Sequence, residues 1–198
     1  MLSYVLVLHG LTGSGPGHWQ SRLAGELANR GATVDIPRLA DPDHPVLDVW
    51  LTELRQHLAV APRDAERVVV THSCGGLLWL HHAAALTDRH EDHLMRFDRA
   101  LLVSLPGPNW RHPDVHGFMP VPLNAAGLRR ASADTRLVAG SGDPHCTLVE
   151  AEAYGRVLGL ELDVIPGGGH LNTDSGYGPW PSALDWVLSG STPLVARL

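Results

Sequence analysis

Lysine is absent from this chain, since all 15 of its basic residues are arginine. The absence excludes the lysine of a phosphate-binding loop, a lysine that forms a Schiff base and a serine–lysine catalytic pair. Positive charge is also in deficit, because the formal net charge is -6 and the pI is near 6.1. Proteins that bind nucleic acids usually carry a basic face, so we expect no nucleic-acid partner.

Cysteine and long hydrophobic runs are scarce as well. The two cysteines, Cys74 and Cys146, make no disulfide framework and are typical of free thiols in a reducing compartment. The first apolar run, Tyr4–Leu8, is too short for a signal peptide and follows no positively charged segment. No run approaches the roughly 20 apolar residues of a membrane span. We therefore expect a soluble, cytoplasmic protein that does not bind membranes.

The 198 residues, with 44% hydrophobic and 18% charged side chains, predict a single domain over residues 1–198. Short apolar runs alternate with helix-length segments, which is typical of parallel β/α units. The predicted strands are Tyr4–Leu8, Thr33–Ile36, Arg67–Thr71, Arg99–Ser104, Arg136–Ala139 and Glu161–Ile165. The predicted helices are His18–Arg30, Val46–Val60, Gly75–Leu86, Thr147–Leu158 and Pro181–Leu188. The proline-rich segment Leu105–Leu123 fits no element, and a loop of this length usually serves function or covers a pocket.

The third predicted strand runs directly into His72-Ser73-Cys74-Gly75-Gly76 and an apolar helix. This pattern is similar to the nucleophile elbow, normally G-x-S-x-G, in which a tight turn presents a serine hydroxyl at the carboxyl edge of the sheet. Thr71 stands where the first glycine is usual. Two alternatives remain open: Ser73 is only a helix cap, or Cys74 is the nucleophile.

Two further turns follow strands. After the first strand, His9-Gly10-Leu11 is a flexible turn, and the Leu11 and Cys74 backbone N–H groups are the expected oxyanion donors. His9 is interpreted as either structural or in contact with substrate. The glycines of this turn do not form G-x-G-x-x-G, so nucleotide binding is not predicted.

Asp143 and His170 each follow a later predicted strand, in the order serine, acid, histidine that α/β-hydrolases use. The carboxyl ends of parallel strands share one edge, where ligands bind. A serine needs a base to take its proton and a carboxylate to orient that base. We therefore predict Ser73, Asp143 and His170 as a catalytic triad.

A metal site is not predicted. His112 and His116 have a metal-like spacing, but no cysteine or carboxylate cluster completes them. A triad hydrolase needs no cofactor, and none is expected.

The motifs together resemble the small serine hydrolases that are similar to retinoblastoma-binding protein 9, the YdeN-like branch of the α/β-hydrolases. The resemblance covers nearly the whole chain. It rests on His9-Gly10 with His18-Trp19, His72-Ser73-Cys74-Gly75, Ser141-Gly142-Asp143-Pro144-His145-Cys146, Gly169-His170-Leu171-Asn172 and Ser175-Gly176-Tyr177-Gly178-Pro179-Trp180-Pro181. It implies a minimal three-layer α/β-hydrolase fold with a six-stranded parallel sheet of order 2-1-3-4-5-6, and it implies the same triad.

The function predicted from these observations is hydrolysis of a small carboxylic ester or related acyl bond, as in carboxylesterases, with a small-molecule acyl substrate. Trp110, Phe118 and Met119 are expected either to line an acyl pocket or to pack in the core. The alternative function is a protein-interaction module with a vestigial triad, which leaves a protein partner and the oligomeric state open.

Overall fold

The computed structural model describes residues 3–89 and 95–197. Six parallel strands form one sheet in the order β2-β1-β3-β4-β5-β6, which confirms the predicted fold class. The strands are β1 (Ser3–Leu8), β2 (Thr33–Asp35), β3 (Glu66–His72), β4 (Phe97–Val103), β5 (Ser132–Gly140) and β6 (Leu162–Ile165). Because the chain order reverses between β1 and β3, the carboxyl ends of these two strands border a natural ligand crevice.

Helices cover both faces of the sheet. They are α1 (Trp19–Asn29), α2 (Leu47–Val60), α3 (Cys74–Ala85), α4 (Ala125–Ala131), α5 (Leu148–Leu158) and α6 (Pro181–Ser189). Side chains alternate along a strand, so each strand contributes to two cores. Val5 and Val7 pack in one core with Trp19 and Trp186, whereas Leu6 enters the opposite core with residues of α2 and α3.

Helix α3 lies at the centre of the second core. Its sequence is apolar almost all round, and it is buried from Cys74 through Leu80. A helix that is hydrophobic on every face is stable only when neighbours surround it. This burial fixes the N-terminus of α3, and with it the turn that carries Ser73.

Two short helices differ from the sequence-based prediction. The segment 105–123, predicted to fit no element, contains a 3₁₀ helix over Pro113–Phe118. Helix α4 was not predicted, because seven residues with an internal glycine give little periodic signal. Gly127 is required there by packing, since a Cβ would lie 2.4 Å from the Ala83 carbonyl oxygen of α3. The Asn124 side chain caps α4 by accepting a hydrogen bond from the Gly127 N–H at 2.8 Å.

Among the described residues, no helix is both long enough and apolar enough to span a bilayer.

Glycine at position 75 is expected to be essential for the fold. A Cβ there would lie 2.4 Å from the Leu8 carbonyl oxygen and 2.6 Å from that of His9, so α3 would have to move away from β1. We expect Gly75→Ala to lower the free energy of unfolding by about 1–3 kcal/mol or more, as overpacking does. The measurement is urea denaturation.

Gly25 provides the matched control, because it is exposed in α1 and a Cβ there meets nothing within 4 Å. Gly25→Ala should raise the unfolding free energy by about 0.5–1 kcal/mol through helix propensity. Equal effects of the two substitutions would contradict this account of the β1–α3 contact.

Candidate active site

Ser73 occupies a strained turn between β3 and α3. Its backbone has φ 53° and ψ -123°, a left-handed conformation that a non-glycine residue seldom adopts. The turn is anchored because the Ser73 N–H donates a 2.9 Å hydrogen bond to the Val103 carbonyl of β4. The strained backbone holds Ser73 at the carboxyl edge of the sheet.

Thr71 fits the elbow although glycine is usual at this position. Its hydroxyl is buried and donates to the Leu101 carbonyl oxygen at 3.1 Å, so the polar atom is satisfied within the sheet. Gly76 leaves room for the threonine side chain, because a Cβ at position 76 would lie 3.1 Å from Thr71 Oγ1 and 2.3 Å from Leu105 Cδ2. The threonine is therefore accommodated without opening the turn.

The structure brings Ser73, His170 and Asp143 together as a hydrogen-bonded series. His170 Nε2 lies 3.0 Å from Ser73 Oγ, and His170 Nδ1 lies 2.8 Å from Asp143 Oδ2. All three side chains are buried. An ionised carboxylate only accepts hydrogen bonds, so Nδ1 carries the ring proton and Nε2 is free to accept the Ser73 hydroxyl. This arrangement can activate the serine oxygen as a nucleophile.

Two loops packed against each other deliver the acid and the histidine. The loop after β5 carries Asp143, and the loop after β6 carries His170. They are joined by hydrogen bonds from the Ser141 N–H to the Ile165 carbonyl at 2.9 Å and from the Gly169 N–H to the Ser141 carbonyl at 3.1 Å. Gly140 permits this contact, since a Cβ there would lie 2.2 Å from the Gly169 carbonyl oxygen.

The Cys74 thiol, next to Ser73 in the chain, is buried in the first turn of α3. Burial raises the pKa of the Cys74 thiol to about 11, while backbone hydrogen bonds from Leu11 and from Cys74 itself oppose the rise. That the Leu11 and Cys74 N–H groups face a substrate oxygen stays a prediction from the sequence.

Three histidines for which the sequence predicted no role lie around the His170 ring. The ring centroids of His72 and His145 lie 4.9 Å and 4.5 Å from that of His170, and His18 lies 4.8 Å from His72. The His72 Nε2–H donates to the His170 carbonyl oxygen at 2.9 Å. His145 reaches the acid as well, since its backbone N–H donates to Asp143 Oδ1 at 2.8 Å.

These neighbouring imidazoles are held neutral. Burial lowers the pKa of His72 well below its ordinary value, and nearby His170 and His18 lower it further. Burial and the charge of His170 lower the pKa of His18 to about 4, and the same two causes lower the pKa of His145. A positive charge on His170 therefore meets no second imidazolium around neutral pH. Only their positions in the sequence could have indicated these histidines, because His18 precedes α1, His72 precedes Ser73, and His145 lies two residues after Asp143.

A cavity of about 340 Å³, here called the Ser73 cavity, opens beside the serine. Its lining residues are Leu11, Thr12, Gly13, Gly15, His18, His72, Ser73, Trp110, His145, His170, Asn172, Thr173 and Asp174. The lining is polar for the most part and includes no arginine.

Of the four residues predicted as substrate contacts, only Trp110 lines the Ser73 cavity. Met119 lies in a separate groove that also borders Trp110. Of the two alternatives for Phe118, core packing is the one observed, since the side chain is fully buried and packs edge-on against Trp50 at 5.5 Å between ring centroids. His9 is also structural: its Nε2 accepts from the Leu39 N–H at 3.1 Å, and its other ring nitrogen bonds the Gly10 carbonyl.

Within residues 3–89 and 95–197, no three histidine, cysteine or acidic side chains meet in a group able to hold a metal ion. His112 lies 3.5 Å from an Asp114 oxygen, and the His116 side chain is outside the described part of the chain.

Comparison with known proteins places this geometry in context. The family model described as serine hydrolase matches residues 5–189. The ydeN gene product of B. subtilis is similar in structure, with TM-score 0.79 and 21% identity over 94% of this chain and 97% of that one. A YdeN-like protein of Pectobacterium atrosepticum has TM-score 0.71 and 22% identity over 94% and 89%.

A third similar structure is the type II thioesterase BorB from the borrelidin biosynthetic cluster, with TM-score 0.59 and 19% identity over 100% of this chain and 94% of that one. At these sequence identities, the structural similarity shows a shared fold alone. Comparison with curated proteins found no match.

His18 should make stability depend on pH. Its Nδ1 accepts from the Gln20 N–H at 3.2 Å and caps α1, so protonation would break the cap. Unfolded histidine titrates near pH 6.5, whereas burial lowers the folded pKa to about 4. Between these values the unfolded state binds the extra proton, so stability is present above about pH 6.5 and is lost as pH falls. The loss reaches up to about 1.4 kcal/mol per pH unit for one such group.

His18→Asn tests this assignment, because asparagine caps helices well and does not titrate. We expect its free energy of unfolding to fall less steeply between pH 6.5 and 4.5 than that of the wild type, with a remaining slope from His72. Identical slopes for the two proteins, measured by urea denaturation at each pH, would contradict the buried neutral state of His18.

Proposed function

The chain belongs to the serine hydrolase family, and we propose that it hydrolyses a small carboxylic ester or related acyl bond through an acyl-enzyme on Ser73. The observation that carries the proposal is the series Asp143–His170–Ser73, with hydrogen-bond distances of 2.8 Å and 3.0 Å at the wall of an open cavity. Hydroxyl, imidazole and carboxylate in this order are the parts that acyl transfer needs.

In the first half-reaction, His170 Nε2 takes the Ser73 hydroxyl proton as Oγ attacks the substrate carbonyl carbon. Asp143 accepts the Nδ1 hydrogen bond and stabilises the imidazolium that forms. The carbonyl oxygen becomes an oxyanion, and the amides of Leu11 and Cys74 are its proposed donors. Each such donor is typically worth about 10²–10³ in rate.

The tetrahedral intermediate then collapses. His170 returns the proton to the leaving oxygen, the bond to that oxygen breaks, and the acyl group stays on Ser73. In the second half-reaction His170 takes a proton from water, whose oxygen attacks the acyl carbon. The carboxylic acid leaves, and the proton returns to Ser73 Oγ.

The neutral neighbours of His170 support this cycle. His72 and His145 contact the ring with their own pKa values lowered, so the imidazolium that forms on His170 faces no adjacent cation.

A thiol mechanism on Cys74 is less favourable. Burial raises the pKa of this thiol to about 11, so the reactive thiolate is scarce at neutral pH. The side chain is also fully buried in the first turn of α3, and the Ser73 cavity does not include it in its lining.

Labelling with a fluorophosphonate probe tests the nucleophile. We expect the wild type to react covalently and Ser73→Ala to lose all labelling, because Ser73 Oγ attacks phosphorus as it attacks a carbonyl. Asp143→Asn should lower the rate of p-nitrophenyl acetate hydrolysis by about 10⁴, since the imidazole would then be held in the wrong tautomer.

Cys74→Ala is the matched control at the adjacent position, because it keeps the backbone N–H and removes only the thiol. Its labelling should persist. Equal labelling of wild type and Ser73→Ala would overturn the proposal, and an absence of labelling in the folded wild type would favour an interaction module with an inactive triad.

A further inference from the structure

An apolar groove of about 520 Å³ adjoins the Ser73 cavity. We call it the Trp110 groove, and its apolar lining residues are Pro108, Trp110, Pro113, Val115, Met119 and Pro120. Arg111 and His112 also line it. Arg111 Nη1 donates to the Pro108 and Trp110 carbonyl oxygens at 2.7 Å and 2.8 Å, and the His112 ring stacks on Trp110 with the centroids 5.7 Å apart. The groove is therefore mostly apolar, unlike the Ser73 cavity.

Trp110 is the element that the two spaces share, since it lines both. Aromatic rings connect it to the reacting atoms. The His170 and His145 ring centroids are 4.5 Å apart and perpendicular, and the His145 and Trp110 centroids are 5.2 Å apart. A ligand that lies along these rings passes from Ser73 to the Trp110 groove.

The chemistry of the proposed reaction indicates which half of the substrate follows this route. The leaving oxygen takes its proton from His170 Nε2, so the leaving group must lie against the His170 ring. The row of rings that leads to the groove begins at the same imidazole. The carbonyl oxygen would face the proposed Leu11 and Cys74 donors, which leaves the acyl group the limited space of the Ser73 cavity.

We propose that the Trp110 groove binds the apolar tail of the leaving group, so that the preferred substrates are short-acyl esters of apolar alcohols. This inference rests on the proposed hydrolase function and adds a substrate class to it. Contact with the groove would be made before and during acylation and would be lost when the alcohol departs. The preference should therefore be seen in kcat/KM.

Two isomeric esters of identical composition test the assignment. Octyl acetate places the long chain in the leaving group, whereas ethyl octanoate places it in the acyl group. Acid release is measured in a pH-stat below the solubility limits of both. We expect kcat/KM for octyl acetate to be at least about tenfold higher, which a single well-buried methylene can already provide.

Two substitutions test whether the preference for octyl acetate depends on the Trp110 groove. Met119→Gln keeps the side-chain length but makes this wall polar, and it should lower the octyl acetate to ethyl octanoate ratio about fivefold or more. Val60→Ser is the control, because it removes an exposed apolar side chain at the end of α2 that does not line the groove. Its ratio should equal that of the wild type.

Three results would overturn the groove assignment: a ratio of one, a preference for ethyl octanoate, or the same change of ratio in both variants. Turnover of neither isomer by a protein that the phosphonate probe labels at Ser73 would also overturn it. A protein without phosphonate labelling instead disproves the hydrolase function itself, so the two failures are distinguishable.

Discussion

The imidazole of His170, held between the Asp143 carboxylate and the Ser73 hydroxyl, is the interaction on which the proposed chemistry depends. Its three members follow β3, β5 and β6, so the register of the sheet sets their separation. Two glycines allow the close backbone contacts that bring these three residues together, and a side chain at either position would block them. Glycine at 75 lets α3 approach β1, and glycine at 140 lets the two loops meet. Close packing of the backbone next to the triad therefore controls the distances between its members.

Electrostatics adds a second constraint. The rings of His18, His72 and His145 are near enough to His170 for their charge state to affect it. Burial keeps all three neutral, at a cost in stability that grows as the pH falls. In the proposed reaction His170 becomes a transient imidazolium, and the three rings around it stay uncharged. This links the acid sensitivity of the fold to the same residues that favour the proposed reaction.

Much of this arrangement is readable in the sequence, for physical reasons. The valine-rich strands buried on both faces predict the parallel sheet, and glycine-rich turns after β3, β5 and β6 predict which polar side chains reach its carboxyl edge. The sequence could not separate Trp110 from Phe118, because an aromatic residue in a loop serves equally in a pocket wall or in the core. Only the tertiary structure places Phe118 against Trp50.

The sequence also could not show which histidines lie at the site. His145 resembles many single histidines in the sequence, and its contact with His170 arises from the folding of the Asp143 loop. Helix α4 was missed because its stability comes from packing on α3 through Gly127 more than from its own seven residues.

The most direct measurement is rapid-quench mass spectrometry of the protein during turnover of p-nitrophenyl acetate, followed by peptide mapping of the acetyl group. The account predicts a transient acetyl ester on Ser73 that forms and decays at rates consistent with turnover. Acetyl found on Cys74, or turnover with no acylated Ser73 at any time, would contradict it.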